Sequence, residues 1–317
     1  MKIGLIGAGR LGICLALLIE QENYHVIASD MREDYINDLQ NKKSNSTEPQ
    51  VQELLEHSIN LEFTTDNRKL IRESDIIFTL VQTPSLEDGS YDVSAVWEVV
   101  EDIKQEMSSI ANYPKSFVVG CTTNPGDCDK FKDALPESVD VYYNPEFIAQ
   151  GSIVDDLRHA DMVLLGGKGQ HSGALEMIYY QIQNGFKVAN VSTMSARAAE
   201  LTKIAVNCYL TTKITYANQV GQVMIRDGME GEVATVLKAI GSDSRIGTKY
   251  LNYGFGFGGP CFPRDNRAFA AYAKSVGVQH NIGFTTDAFN EEHAEFMKEY
   301  FMPVSYTHLT LPTILLV

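Results

Sequence analysis

The 317-residue chain is predicted to be an α/β protein, a doubly wound parallel sheet followed by a helical domain. Three features carry this expectation. Up to about residue 190, short runs rich in Val, Ile and Phe alternate with amphipathic stretches, the rhythm of parallel strands joined by helical crossovers. A glycine-rich turn directly follows the first apolar run. Beyond Ser192, Ala, Leu, Ile and Val recur in a long stretch with neither proline nor glycine until Gly221, as in an extended helix.

Taken in order, the apolar runs place strands at 2–6, 24–29, 75–81, 116–120, 139–143 and 162–165. Helical spacing fills 11–21, 93–107 and 126–135, the last bounded by Pro125 and Pro136. The long helix is expected over 192–226, with further helices over 230–240 and 266–276. Between these two lies the loop Gly254-Phe255-Gly256-Phe257-Gly258-Gly259-Pro260. A charged helix is expected over 284–300. The stretch 303–317 then runs without one Asp, Glu, Lys or Arg. Ser305-Tyr306-Thr307-His308-Leu309-Thr310 resembles translated sequencing-adapter read-through, so the native frame is expected to stop near Met302; a final buried strand is the alternative. The expected division is therefore 1–190, 191–302 and an atypical tail at 303–317.

Composition narrows the function. With 26 basic and 41 acidic residues the net charge is 26 − 41 = −15, which repels phosphate backbones and anionic lipid, and no basic run reverses it. Nucleic-acid and membrane partners are thus not expected. Five scattered cysteines without a CxxC pair indicate neither a disulfide scaffold nor a metal site, and fit a reducing compartment. The apolar start is too short for a signal segment, and no run approaches the roughly 18 apolar residues of a membrane span, so a cytoplasmic protein is expected.

Gly7-Ala8-Gly9-Arg10-Leu11-Gly12 lies between the first strand and the first helix, where glycines permit a tight turn and close approach of a pyrophosphate to backbone. Asp30 ends the second strand, 18 residues after Gly12, where a carboxylate accepts from ribose hydroxyls and favours NAD over NADP; Arg32 nearby softens that preference. Cys261 follows the glycine loop and precedes Pro263, a residue suited to a first helical turn, so its thiol sits near unpaired N–H groups that favour thiolate. A buried structural cysteine is the alternative. Lys203 and Asn207 stack on one helix face with Glu200 a turn earlier; they suit an oxyanion, or Glu200 and Lys203 form an ordinary ion pair on a solvated face. Asp265 is a candidate base and Glu146 a candidate water-orienting group, or both are simply solvated.

Together these motifs resemble the UDP-glucose/GDP-mannose dehydrogenase family, and within it the UDP-glucose branch. The likeness runs in order through Gly7 to Gly12, Asp30, Glu48-Pro49, Val81-Gln82-Thr83-Pro84, Thr122-Thr123-Asn124-Pro125, Asn144-Pro145-Glu146-Phe147, Glu200 through Asn207, Arg245-Ile246-Gly247 and Gly254 through Asp265. It implies a Rossmann-type domain and a helical central, dimerising domain. It also implies oxidation of a sugar C6 alcohol to the carboxylate by two NAD⁺, through a thiohemiacetal and a thioester on the residue matched by Cys261. By the same resemblance Lys203 and Asn207 stabilise oxyanions, Asp265 assists base chemistry and positions water, Glu146 transfers protons, and Thr123 helps hold the water. Gly7, Gly9, Arg10, Leu11, Gly12, Asp30, Thr83 and Thr123 fall on cofactor positions. Phe147, Phe257 and Gly258 fall on substrate positions, with Glu146, Lys203 and Asn207, and Arg245 on an arginine that reaches a neighbouring subunit's substrate. The resemblance implies a UDP-sugar substrate, a homodimer, and a role in polysaccharide biosynthesis.

The chain departs from the family at Gln150, where many relatives carry an acid, and at Pro260 and Arg264, and it is expected to lack the family's carboxy-terminal nucleotide-binding domain. Three readings therefore compete with oxidation of UDP-glucose: GDP-mannose as substrate, a non-catalytic NAD-binding dimerisation module, and an alcohol dehydrogenase that stops at the aldehyde. The loop before Cys261 argues against the last.

Overall fold

The computed structural model describes residues 1–109, 113–183, 190–256 and 261–278. They divide into two compact units, the first comprising 1–84 and 91–201 and the second 85–90 with the residues from 202 onward.

The first unit is an eight-stranded sheet. Its elements run β1 (Lys2–Ile6), α1 (Arg10–Gln21), β2 (His25–Ser29), α2 (Glu33–Gln40), α3 (Val51–His57), β3 (Leu61–Thr64), α4 (Asn67–Glu73) and β4 (Ile76–Thr79). They continue through α5 (Ser94–Ser109), β5 (Lys115–Val119), α6 (Asp127–Ala134), β6 (Val139–Tyr143), α7 (Ile153–Arg158), β7 (Met162–Gly166), α8 (Ser172–Ile182) and β8 (Asn190–Met194). The strand order is β3-β2-β1-β4-β5-β6-β7-β8. Neighbours pair in parallel, except β6 and β7, which meet antiparallel at Tyr143 and Gly166. The sheet is therefore doubly wound as expected, with one antiparallel contact that the sequence does not announce.

Alternation along the strands builds a core on each face. Ile3 and Leu5 of β1 and Ile76 and Phe78 of β4 join one cluster, while Ile6 and Ile77 join the other. Helices α1, α3, α7 and α8 cover the first face and α4, α5 and α6 the second. Both faces being covered explains why the central strands read as unbroken apolar runs. Strands β3 and β8 escape such a reading because they are the sheet's edges: Leu61-Glu62-Phe63-Thr64 and Asn190-Val191-Ser192-Thr193-Met194 carry polar residues where an inner strand would not.

Helix α9 (Ala196–Arg226) starts four residues later than expected, because 190–194 are strand β8. It begins in the first unit and continues into the second. There a short 3₁₀ turn, Glu230–Glu232, leads into α10 (Val233–Gly241), which packs Val233 and Leu237 against Ala217, Met224 and Leu251. Helix α11 (Phe262–Ser275) begins four residues earlier than its apolar spacing suggests. The expected helix at 284–300 and the tail at 303–317 lie outside the described residues. Among the described residues no helix is long and apolar enough to cross a membrane.

Candidate active site

In the first unit the candidate residues gather beyond the carboxyl ends of the strands, where open α/β sheets bind ligands. Gly7 closes the β1–α1 turn at φ +97°, its N–H and that of Ala8 donating to Ser29 O at 2.9 and 2.8 Å. A Cβ at Gly12 would stand 2.1 Å from Gly7 O, so only glycine lets α1 approach the turn. A Cβ at Gly9 would meet nothing within 4 Å, and no side chain caps the helix start that Gly9 and then Arg10 and Leu11 present. This is an open cradle ending in unspent N–H groups, suited to a pyrophosphate. It lies at the switch in strand order, with β2 on one side of β1 and β4 on the other. Asp30 stands half-buried at the end of β2 and the buried Thr83 follows β4, so the expected cofactor residues share the carboxyl-terminal rim of the sheet. The residues present fit NAD.

Three interactions around this rim were not legible in the sequence. Arg32 donates to both Asp30 oxygens, from Nε and a terminal nitrogen, at 2.8 Å each. Arg10 donates to Gln150 Oε1 at 3.0 Å and lies 4.0 Å from the buried Glu48, which accepts from Gly151 N at 2.9 Å. That pins the loop after β6, the loop carrying Glu146 and Phe147. The Tyr179 hydroxyl, buried on α8, bonds Glu146 Oε1 at 2.5 Å and Asn144 Oδ1 at 2.6 Å. Tyr179 falls among Leu175, Ile178 and Ile182 and reads only as core.

Thr123 is fully buried and donates its hydroxyl to Glu200 Oε1 at 2.8 Å. Glu200 also accepts from Gly126 N at 2.6 Å and Cys128 N at 2.9 Å, acting as a cap on α6 supplied from α9. Its exposure is 0%, so the solvated-face alternative fails for Glu200. Burial raises its carboxyl above the ordinary value, with the hydrogen bonds from Gly126, Cys128 and Thr123 opposing.

In the second unit α9 and α11 organise the remaining candidates. Lys203 is half-buried and Asn207 buried on α9. The Asn207 amide donates to Asp265 Oδ2, and Cys208 Sγ donates to Asp265 O at 3.7 Å. Asp265 lies in the first turn of α11, its N–H bonded to Cys261 O at 2.9 Å. Cys261 is the exposed residue that opens the helix, with Pro263 in the first turn. The other four thiols are buried, and burial pushes Cys14, Cys121 and Cys208 up to about 12 and Cys128 well above its ordinary value. Gly221, the first glycine of α9, has a local reason: a Cβ there would lie 2.0 Å from the Tyr253 ring. With Asn218, which bonds Gly254 N and Phe255 O, it docks the chain leading to the glycine loop. Arg245 is held by Asp243 with its side chain 86% exposed. Phe257 and Gly258 lie outside the described residues. Among the described residues no group of three His, Cys, Asp or Glu side chains is placed to hold a metal ion.

The family model for the UDP-glucose/GDP-mannose dehydrogenase NAD binding domain matches residues 1–183, and that for the family's central domain matches 197–292. UDP-glucose 6-dehydrogenase TuaD of Bacillus subtilis is 31% identical over 291 residues, covering 89% of this chain and 61% of the relative. UDP-glucose 6-dehydrogenase of Pseudomonas aeruginosa is 29% identical over 313 residues, covering 94% and 67%. Among solved structures, a UDP-glucose dehydrogenase from Pyrobaculum islandicum matches with TM-score 0.79 at 28% identity, covering 87% of this chain and 65% of that one. A GDP-mannose dehydrogenase from Pseudomonas aeruginosa matches at 0.69 and 25%, covering 93% and 69%. The chain thus spans 61% to 67% of the length of these two curated relatives. With the NAD cradle at the carboxyl end of its central strands and both family models matched in order, the chain belongs to the UDP-glucose/GDP-mannose dehydrogenase family.

Proposed function

We propose that the chain carries the catalytic machinery of an NAD-dependent nucleotide-sugar oxidoreductase that takes UDP-glucose to UDP-glucuronate. The supporting observation is the second unit's local arrangement: an exposed Cys261 at a helix start, one turn before a buried Asp265 that is bonded to Asn207. NAD⁺, held by Gly7, Gly9, Arg10, Leu11, Gly12, Asp30 and Thr83, supplies hydride acceptance in two successive oxidations. Loss of a hydride and a proton from the C6 alcohol gives the aldehyde. The Cys261 thiolate adds to that carbonyl, forming the S–C bond of a thiohemiacetal, and loss of a second hydride leaves the thioester. Water then breaks the S–C bond, releasing the carboxylate and restoring the thiol.

Each residue has a chemical reason for its role. Lys203 supplies a cation for the C6 oxyanion, and the Asn207 amide nitrogen keeps a second N–H after giving one to Asp265. Asp265 and Glu146 handle protons, and Phe147, Phe257, Gly258 and Arg245 contact the sugar nucleotide, Arg245 from a neighbouring subunit; Thr123, expected to hold the hydrolytic water, is instead fully buried with its hydroxyl given to Glu200, and its role is to position the loop after β5. A homodimer is supported by α9, where Tyr209, Tyr216 and Val223 recur every seven residues and stand 59%, 48% and 59% exposed, an apolar stripe suited to a second copy. The cytoplasm and the supply of uronate for polysaccharide biosynthesis fit this chemistry.

Counting product against substrate tests the proposal. Incubation with NAD⁺ and UDP-glucose is expected to give two NADH per sugar, and Cys261→Ser to yield no uronate. One NADH per sugar, or uronate from the serine variant, overturns the covalent route; turnover of GDP-mannose in preference to UDP-glucose reassigns the substrate.

A further inference from the structure

The ribose-binding carboxylate is already occupied by the chain's own arginine. Asp30 Oδ1 accepts from the Arg32 N–H at 3.1 Å and Nε at 2.8 Å, and Oδ2 accepts from a terminal guanidinium nitrogen at 2.8 Å. The fork is bidentate, the strong form of this contact. Arg32 lies 4.2 Å over the Tyr35 ring, and the Tyr35 hydroxyl donates to Ala8 O at 2.8 Å inside the glycine turn. Arg32, Asp30 and the cofactor turn are thus one connected patch. Burial raises the Asp30 carboxyl, but the bonds from Arg32 outweigh it and hold the group below its ordinary value, so it is ionised.

Two consequences follow. Three of the roughly four acceptor sites of the carboxylate are taken, so one adenosine ribose hydroxyl can still donate to Oδ2, and a second can do so only if Arg32 yields part of its hold, which weakens NAD⁺ binding. A lone Asp would repel a 2′-phosphate, whereas a paired Asp presents no net charge there. The Arg32 side chain is 61% exposed and carries a planar fork that matches phosphate as well as carboxylate.

We propose that Arg32 sets the cofactor specificity of this chain, staying paired with Asp30 through Nε and one terminal nitrogen while its other terminal nitrogen takes the 2′-phosphate when NADP⁺ binds, so that the site accepts both dinucleotides. The inference rests on assigning the β1–α1 turn to the cofactor. Direct titration of the chain with NAD⁺ and with NADP⁺ tests it without turnover. The wild type is expected to bind both. In Arg32→Ala, NADP⁺ binding is expected to weaken by about tenfold, the scale of one charge-assisted contact, while NAD⁺ binding holds or tightens. Arg32→Lys, which keeps the charge and loses the fork, is expected to fall between. NAD⁺ binding with NADP⁺ excluded, or an unchanged ratio in Arg32→Ala, overturns the inference alone. A chain that binds neither dinucleotide overturns the cofactor assignment and the inference together.

Discussion

The two units treat their apolar side chains differently. The first wraps both faces of its sheet, and its inner strands and α1 are buried almost throughout. The second has a buried cluster of only Ala217, Met224, Val233, Leu237 and Leu251 among the described residues, and leaves Tyr209, Tyr216 and Val223 largely uncovered on α9. A sheet covered on both sides can complete its core within one chain, whereas a helix with apolar residues around much of its surface needs a further partner. The polar groups follow the same division. Buried Glu200 spends its carboxylate on holding the first unit together, while buried Asp265 is bonded to Asn207, itself a candidate for the chemistry.

The first and largest test of this contrast removes the carboxylate. Glu200→Ala strands two backbone N–H groups and a hydroxyl, and should cost roughly 3–5 kcal/mol, read as a lower urea midpoint at unchanged m-value. A loss under about 0.5 kcal/mol, the scale of a surface change, would show that the first unit does not depend on it. The second test is at the uncovered stripe. Tyr216→Asp should leave the thermal midpoint of the chain nearly unchanged but weaken self-association by at least about tenfold, measured by sedimentation equilibrium. The smallest effect concerns pH. Because the folded Glu200 carboxyl lies above its ordinary value of 4.5, the unfolded chain releases that proton first as pH rises. Its contribution to stability is therefore fullest below pH 4.5 and declines until the folded value is passed. Glu200→Gln should flatten that decline in urea titrations, and an identical slope in both proteins would exclude Glu200 as its source.

The sheet's interior was legible in the sequence because central strands of a parallel sheet carry continuous apolar runs, and the glycine turn because φ +97° at Gly7 and the contact at Gly12 leave no other residue type. Edge strands β3 and β8 were not, since Glu62 and Thr64 in the one and Asn190, Ser192 and Thr193 in the other interrupt their apolar runs. Cys261 and Asp265 fell before the expected start of the helix at 266, whereas Asp30 and Asn207 could be placed on elements by spacing alone. Their partners could not. Thr123 meets Glu200 across 77 positions, Tyr179 meets Glu146 across 33, and no local periodicity encodes such distances. Arg32 shows the opposite case. It was visible beside Asp30, but its two-pronged hold on the carboxylate depends on a side-chain conformation, stacked over Tyr35, that spacing does not encode.

The cap that Glu200 places on α6 also sets an order of events during synthesis. A chain emerging from the ribosome completes all eight strands by Met194, yet Gly126 N, Cys128 N and the Thr123 hydroxyl wait for an acceptor that arrives only with the first turns of α9. The sheet can assemble early, but the loop after β5 locks only once translation has entered the helix that continues into the second unit. A nascent chain halted at 183, the end of the matched NAD binding domain, would hold its strands through β7 and lack its last fastener.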